Sequence, residues 1–119
     1  GSTDRIFNPG YVDPESGTPE LTMAKQFYVY ILASKRNGTI YTGETSHLIQ
    51  RVWQHKHDVI QVFTRKYNVK TLVYYEVHEN ADSALTRETK IKRWRREWKL
   101  AWIEDSNPEW RDLYEDILG

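Results

Sequence analysis

Three stretches of the chain are continuously apolar or rich in β-branched and aromatic residues, which is typical of strands. They are FYVYILA (Phe27 to Ala33), TIYTG (Thr39 to Gly43) and TLVYYEV (Thr71 to Val77). Between the first two, Asn37-Gly38 favours the positive φ of a tight turn. The first two strands are therefore expected to form a hairpin.

After the hairpin, the apolar positions recur at helical spacing. A first helix is expected to be capped by Thr45 or Ser46, and its apolar face consists of Leu48, Ile49, Val52 and Trp53. A basic loop from Phe63 to Tyr67 is expected to lead from this helix to the third strand.

A second helix is expected after the third strand, capped by Asn80 or Asp82 and running to about Arg96. A further helical stretch and a short last turn near Pro108 to Tyr114 follow. The order β-β-α-β-α-α predicts an α+β domain with a small three-stranded antiparallel or mixed sheet flanked by helices.

The length of 119 residues allows one domain. Residues 1–22 are rich in proline and glycine without periodicity, so they are expected to be an arm that is partly tag or linker, and residues 23–119 the folded domain. No apolar run approaches the ~20 residues that span a bilayer, so no membrane partner is expected. The absence of cysteine fits a reducing compartment, and a cytoplasmic location is expected.

The charge is unevenly distributed along the chain. Residues 23–103 carry 15 Lys and Arg against 7 Asp and Glu, whereas both ends are acidic. A basic body is typical of a polyanion binder, although an uneven surface charge gives the same pattern. The candidates for phosphate contact are Lys66, Lys90, Lys92, Arg93 and Arg96. Trp94 and Trp98 interleave with this basic run, and their helical spacing favours core positions over stacking on bases.

Two tyrosines and a glycine stand out in the hairpin. A turn centred near Lys35-Arg36 would place Tyr30 opposite Tyr41, either as a structural aromatic pair or as two phenols beside the first helix. Gly43, at the end of the second strand, indicates close approach by another group.

Three further positions carry candidate chemistry. Arg51 and His55 are four residues apart and so share one face of the first helix, as a phosphate clamp with a proton carrier or as a solvated pair. Glu88 falls within the apolar stripe of the second helix, which comprises Ala81, Ala84, Leu85, Ile91 and Trp94. A carboxylate there requires an ion pair, for instance with Arg51, or a bound Mg²⁺.

In order, Tyr28-Val29-Tyr30, Tyr41-Thr42-Gly43, Arg51-xxx-His55 and Glu88 resemble the motifs of the GIY-YIG nuclease superfamily. The chain is especially similar to the small single-domain bacterial members. The resemblance extends from about Gln26 to Tyr114 and includes NPEWRDLY near the end.

The resemblance implies metal-dependent hydrolysis of a nucleic-acid backbone. Glu88 would hold one Mg²⁺ or Mn²⁺, and Tyr41 or Tyr30 would orient or deprotonate the attacking water, as a phenolate favoured by nearby positive charge. Arg51 would stabilise charge on the phosphate, and His55 would position the water or take a proton. Asn107 is the candidate for the asparagine of the last motif. The expected partner is DNA, single-stranded or branched, with RNA also possible, and no organic cofactor is expected.

The chain departs from the family pattern at three positions. Glu44 and Gln50 stand where many members have lysine, and Tyr28 replaces the first glycine. Two other functions are compatible with the sequence: a catalytically inactive nucleic-acid-binding module of the same fold, and an interaction protein whose basic body docks the acidic ends of another copy.

Overall fold

The structure, a computed structural model, describes residues 25–59 and 62–119. Its elements are β1 (Phe27–Ala33), β2 (Ile40–Thr45), α1 (Leu48–Lys56), α2 (Val62–Lys66), β3 (Thr71–His78), α3 (Ala81–Arg93), α4 (Arg96–Ser106) and α5 (Tyr114–Leu118). The α+β class is confirmed, and the short helices α2 and α5 are added to the expected order. The arm predicted for residues 1–22 lies outside the described residues.

The three strands form one antiparallel sheet in the order β2-β1-β3. The central strand β1 is buried on both faces, which explains its uninterrupted apolar sequence. One face carries Val29, Ile31 and Ala33 and packs against α3 and α4. The opposite face carries Tyr30 and Leu32 and packs against Leu48 and Val52 of α1. The sheet is thus the middle layer of three, and β2 forms one of its edges.

The hairpin register differs from the prediction by two residues. The turn spans residues 35–38, because the Ser34 amide donates to the Thr39 carbonyl at 2.9 Å, and Asn37 has a φ of 58°. Tyr30 therefore pairs with Gly43, and the predicted direct pairing with Tyr41 is wrong. Since side chains alternate with a period of two, a two-residue shift leaves both phenols on the same face.

The buried face of α1 is narrower than predicted. Ile49 and Trp53 are exposed, and the third buried residue beside Leu48 and Val52 is His55. Neither predicted cap serves α1, whose N-cap is His47 without a side-chain cap bond.

The second helix is capped as predicted but is shorter. The Asn80 side chain accepts a hydrogen bond from the Ser83 amide at 2.8 Å. The helix ends at Arg93 because Trp94 and Arg95 adopt extended backbone, so the continuous run to Arg96 is wrong. Leu85 is exposed and does not belong to the buried stripe.

The expectation that Trp94 and Trp98 are core residues is wrong for Trp98, whereas Trp94 is partly buried and packs against the core cluster. The exposed fraction is 56% for Trp98 and 39% for Trp102. Within residues 25–59 and 62–119, none of the helices combines the length and the apolar character that crossing a membrane requires.

Candidate active site

The ring of Tyr30 lies over the backbone of Gly43, its partner in the β1–β2 ladder. A Cβ atom at position 43 would lie 2.6 Å from the Tyr30 hydroxyl oxygen and 2.7 Å from the ring carbon that bears it. Tyr30 is only 1% exposed, so its ring has little room to move aside. The close approach that the sequence indicated at Gly43 is therefore made by Tyr30.

A buried hydrogen-bond chain begins at this phenol. The Tyr30 hydroxyl lies 3.1 Å from Nε2 of His55, and Nδ1 of His55 lies 3.1 Å from the Thr64 hydroxyl. Thr64 lies on α2. The sequence did not identify it as a site residue, because a single threonine among basic residues belongs to no recognisable motif. Both His55 and Thr64 are 1% exposed.

The imidazole of His55 is neutral at neutral pH. Burial, and secondarily the positive charge of Arg51, lower the pKa of His55 to about 4. In a neutral imidazole one nitrogen donates and the other accepts, so the tautomer sets the direction of the bonds to Tyr30 and Thr64.

The second phenol, Tyr41, completes an aromatic cluster on this face. Its ring centroid lies 6.3 Å from that of Tyr30, 5.3 Å from His55 and 6.3 Å from Phe63. Tyr41 is half-buried, whereas Tyr30 is fully buried. Of the two phenols, Tyr41 is the one that a water molecule or a substrate can reach.

Burial decides the protonation of both phenols. It is the largest cause that raises the pKa of Tyr30 and of Tyr41 above the ordinary value. The positive charge of Arg51 lowers both pKa values, but burial outweighs it. Burial therefore favours the protonated form of both phenols here, and the phenolate expected beside a bound metal stays a prediction.

Arg51 and Glu88 reach this cluster from opposite sides of the sheet. Arg51 lies on α1, and Glu88 lies on α3, which packs against β1 and β2 on the other face. The Glu88 carboxylate raises the pKa of both tyrosines and the Arg51 guanidinium lowers it, so both charges act on the same phenols. The two phenols and the imidazole are thus in mutual contact, and the guanidinium and the carboxylate act on them through their charges.

Glu88 forms an ion pair with Lys92, and not with Arg51 as the sequence analysis suggested. One of its carboxylate oxygens lies 2.9 Å from Nζ of Lys92, one turn further along α3. The Glu88 side chain is 16% exposed, so it remains accessible from solvent. Lys92, a candidate for phosphate contact, is thereby located beside the cluster, and its charge lowers the pKa of Tyr41.

The donor atoms at this edge fit a hard divalent cation. Among the described residues there is no group of three or more His, Cys, Asp and Glu that could hold a metal ion, so a cage made entirely of such side chains is excluded there. Mg²⁺ commonly binds through one or two carboxylates and keeps water and substrate phosphate as its other ligands. Glu88, as a single partly accessible carboxylate, fits that mode of binding, and no thiolate or imidazole cluster competes with it in the described residues.

Glu44, which stands where many family members have lysine, also acts on the cluster. Its negative charge raises the pKa of Tyr30. Position 44 therefore contributes a negative charge that acts on the buried phenol. Gln50, the other departure, lines a groove beside α1 together with Ile49 and Trp53.

Asn107 has a different environment from the other candidates. Its amide group donates to the carbonyls of Val73 at 3.1 Å and Arg111 at 2.9 Å, and accepts from the Arg111 amide at 3.2 Å. It lies at the C-terminal cap of α4, on the side of the sheet that carries Val73. These bonds fix the backbone after α4.

The remaining basic candidates are on the surface. Lys66, Lys90 and Arg93 are exposed. Arg96 donates to the carbonyls of Asn37 at 2.8 Å and Gly38 at 2.7 Å, so it holds the β1–β2 turn against α4.

The chain matches a known protein family over most of its length. The family model described as the GIY-YIG catalytic domain matches residues 26–101. The chain is 38% identical over 80 residues to a UPF0213 protein of Clostridium perfringens, which covers 67% of this chain and 85% of the relative. A UPF0213 protein of Staphylococcus haemolyticus is 36% identical over 83 residues, covering 70% of this chain and 99% of the relative. No solved structure matches the chain. The chain therefore belongs to the GIY-YIG family of nucleases and is similar to its small single-domain bacterial members.

Proposed function

We propose that this protein is a divalent-metal-dependent endonuclease that hydrolyses phosphodiester bonds in DNA. The observation that carries the proposal is the contact cluster of Tyr30, Tyr41 and His55. The charges of Arg51 and Glu88, which lie on helices at opposite faces of the sheet, both act on its two phenols. Such a pairing of a fixed cation with a metal-binding carboxylate suits a phosphate group, which needs its charge neutralised on more than one side.

Glu88 is the residue that would hold one Mg²⁺ or Mn²⁺. When bound, the ion supplies Lewis-acid stabilisation of the phosphate and the leaving oxygen. Lys92 would exchange its partner Glu88 for a phosphate oxygen of the substrate, because an ammonium group binds either anion.

Arg51 supplies charge stabilisation from the other side. A guanidinium stays protonated and offers a planar fork of donors that matches two phosphoryl oxygens. Because α1 holds it beside the phenols, its position needs little reorganisation as charge grows on the phosphate.

Tyr41 orients the attacking water in this account, since it is the accessible phenol of the pair. Tyr30 and His55 form the support beneath it. With a pKa of about 4, His55 is a weak base, so its role is to fix the Tyr30 hydroxyl through Nε2 while Thr64 fixes Nδ1.

Single-stranded or branched DNA is the proposed substrate. Reading a long duplex site usually buries roughly 1,000 Å² or more of protein, which is much for one small domain. RNA remains a second possible substrate, and the cytoplasmic location stays a prediction.

A cleavage assay with a panel of substrates tests the proposal. End-labelled single-stranded, duplex and branched DNA, and single-stranded RNA, are incubated with the purified protein in Mg²⁺, Mn²⁺ or EDTA. We expect cutting that requires the metal and is fastest on single-stranded or branched DNA. Binding without cutting in every metal would instead identify a non-catalytic nucleic-acid-binding module, and salt-sensitive self-association without either would indicate an interaction protein.

A further inference from the structure

Helix α4 has two apolar sides, of which the sheet uses one. Ile103 is fully buried and Leu100 packs against the same core cluster. The opposite side carries Trp98, Ala101 and Trp102, which together with Trp94 and Asp105 line a groove of about 450 Å³. Trp102 packs edge to face on Tyr74 of β3, with ring centroids 6.2 Å apart, whereas the ring of Trp98 contacts Arg95 and is 56% exposed.

The floor of this groove, which we call the tryptophan groove, is held in place by its neighbours. The rings of Trp94 and Trp102 meet edge to face, with centroids 5.4 Å apart and an interplanar angle of 70°. The Arg87 guanidinium lies 5.5 Å and 5.3 Å from their centroids, and its Nε donates to Glu76 at 2.9 Å. Trp98 is the most exposed of the three rings, so it has a face available to a ligand.

Positive charge surrounds one end of the groove. Arg95 lies 5.8 Å from the Trp98 ring centroid, and Lys90 and Arg93 are exposed on α3 beside Trp94. Burial, followed by the positive charges of Arg96 and Lys92, lowers the pKa of Lys99, as expected where cations crowd together. Glu97 lies 3.9 Å from Arg95, and Asp105 stands at the far end, so the positive end is the one nearest Trp98.

We propose that the tryptophan groove binds single-stranded DNA, with bases stacked on Trp98 and phosphates along Lys90, Arg93 and Arg95. Every base offers a flat face to an aromatic ring, and a row of cations follows the phosphate backbone regardless of sequence. The charge on this surface matches a polyanion, and the exposed indole matches an unpaired base.

The position of the groove relates it to the candidate active site. On α3, Glu88 and Lys92 pair with each other on one side, and their charges act on Tyr41, whereas Arg87 and Trp94 lie on the side of the groove. Arg93 and Lys90 are exposed between them. A strand that leaves the cleavage site would therefore cross this basic surface before reaching Trp98. The inference deepens the proposed nuclease function and rests on it for the identity of the bound polymer.

Binding of labelled oligothymidylate of about 20 nucleotides, followed by fluorescence anisotropy in EDTA, tests the groove without cleavage. The variants are Trp98→Ala and Trp98→Phe, and the matched control is Trp53→Ala, which removes another exposed tryptophan, on α1. We expect Trp98→Ala to weaken binding about fivefold or more, Trp98→Phe to bind like the wild type, and Trp53→Ala to leave the affinity unchanged. Trp98→Ala should also cut single-stranded DNA more slowly at subsaturating substrate.

If Trp98→Ala binds the oligonucleotide with wild-type affinity, the proposed binding of DNA in the tryptophan groove is wrong. The nuclease proposal would still stand if metal-dependent cutting persists. An equal loss in Trp53→Ala would overturn the proposed binding in the groove too. If the wild type binds but never cuts, the nuclease proposal fails while the Trp98 effect still supports the groove. If Trp98→Ala changes only self-association, measured by sedimentation, the groove is a contact between proteins and the inference is wrong.

Discussion

The Tyr30 hydroxyl occupies the space in which a side chain at position 43 would begin, 2.6 Å from the position of a Cβ atom there. Tyr30 and Gly43 are direct partners across β1 and β2. The glycine of the second motif is thus explained by the tyrosine of the first, because only a residue without a Cβ leaves room for the buried ring. This contact holds Tyr30 where His55 can bond to it.

Gly43→Ala should displace the Tyr30 ring. Overpacking of a buried site typically costs about 1–3 kcal/mol of unfolding free energy, and misplacement of a group by about 1 Å can slow catalysis about 100-fold. Urea unfolding and single-turnover cleavage measure the two effects. The control is a double-mutant cycle with Tyr30→Leu, in which the smaller side chain makes room for the new methyl group. The same stability cost of Gly43→Ala in both backgrounds would show that Tyr30 is not the cause.

Arg51→Ala should slow cleavage more than it weakens binding. Removing one preorganised donor from a charge-stabilising site costs about 10²- to 10³-fold in kcat, because the interaction is strongest when charge accumulates. Single-turnover rates at saturating DNA, beside affinities measured in EDTA, separate the two effects. Arg65→Ala is a matched control, since Arg65 is an exposed arginine on α2. Unchanged cleavage by Arg51→Ala would remove its assigned role.

Protonation of His55 should make the protein less stable in acid. Its pKa is about 4 in the folded protein and near the ordinary 6.5 when unfolded. Above pH 6.5 neither state binds the proton, so His55 contributes no pH dependence. Between pH 6.5 and about 4 only the unfolded state becomes protonated, and the free energy of unfolding falls as the pH falls. Below about pH 4 both states are protonated and the loss levels off.

Urea unfolding of His55→Gln between pH 7.5 and 4 checks this prediction. The variant should lose less stability than the wild type over the window from pH 6.5 to 4, whatever its absolute stability. His57→Gln is the control, because His57 is an exposed histidine at the end of the same helix. An identical pH dependence in His55→Gln and wild type would mean that His55 does not carry the effect.

The sequence was most informative where one pattern had one structural solution. The uninterrupted apolar run of β1, the turn residue Asn37 and the cap Asn80 each predicted the element that forms. The register of the hairpin could not be determined from the sequence. A two-residue turn and a four-residue turn place the same side chains on each face of the sheet, so the hydrophobic pattern does not distinguish them. Tyr30 and Tyr41 share a face of the sheet in either register. The prediction that the two rings lie close together is therefore confirmed, although the predicted direct pairing is wrong.

The environments of His55 and Trp98 could not be predicted, because they depend on which elements pack against them in the folded chain. His55 looked like half of a polar pair, yet it is a core residue with Thr64 of α2 as a partner. Trp98 looked like a core residue, but Ile103 fills the inner side of α4. The sequence left Glu88 either in an ion pair, for instance with Arg51, or bound to Mg²⁺. In the structure it pairs with Lys92, four residues further along α3. That spacing permits a side-chain pair but occurs at many positions of a helix, so it did not single out Lys92.

The most direct test of the account is the single-turnover rate of DNA cleavage in Mn²⁺ by Glu88→Gln, which keeps the size of the side chain and removes its charge. Glu79→Gln is the matched control, because Glu79 is an exposed glutamate just before α3. We expect Glu88→Gln to fold and to bind DNA in EDTA about as tightly as the wild type, yet to cut at least about 100-fold more slowly, while Glu79→Gln cuts normally. Cleavage by Glu88→Gln at the wild-type rate would contradict the assignment of Glu88 as the metal-holding residue of a nuclease.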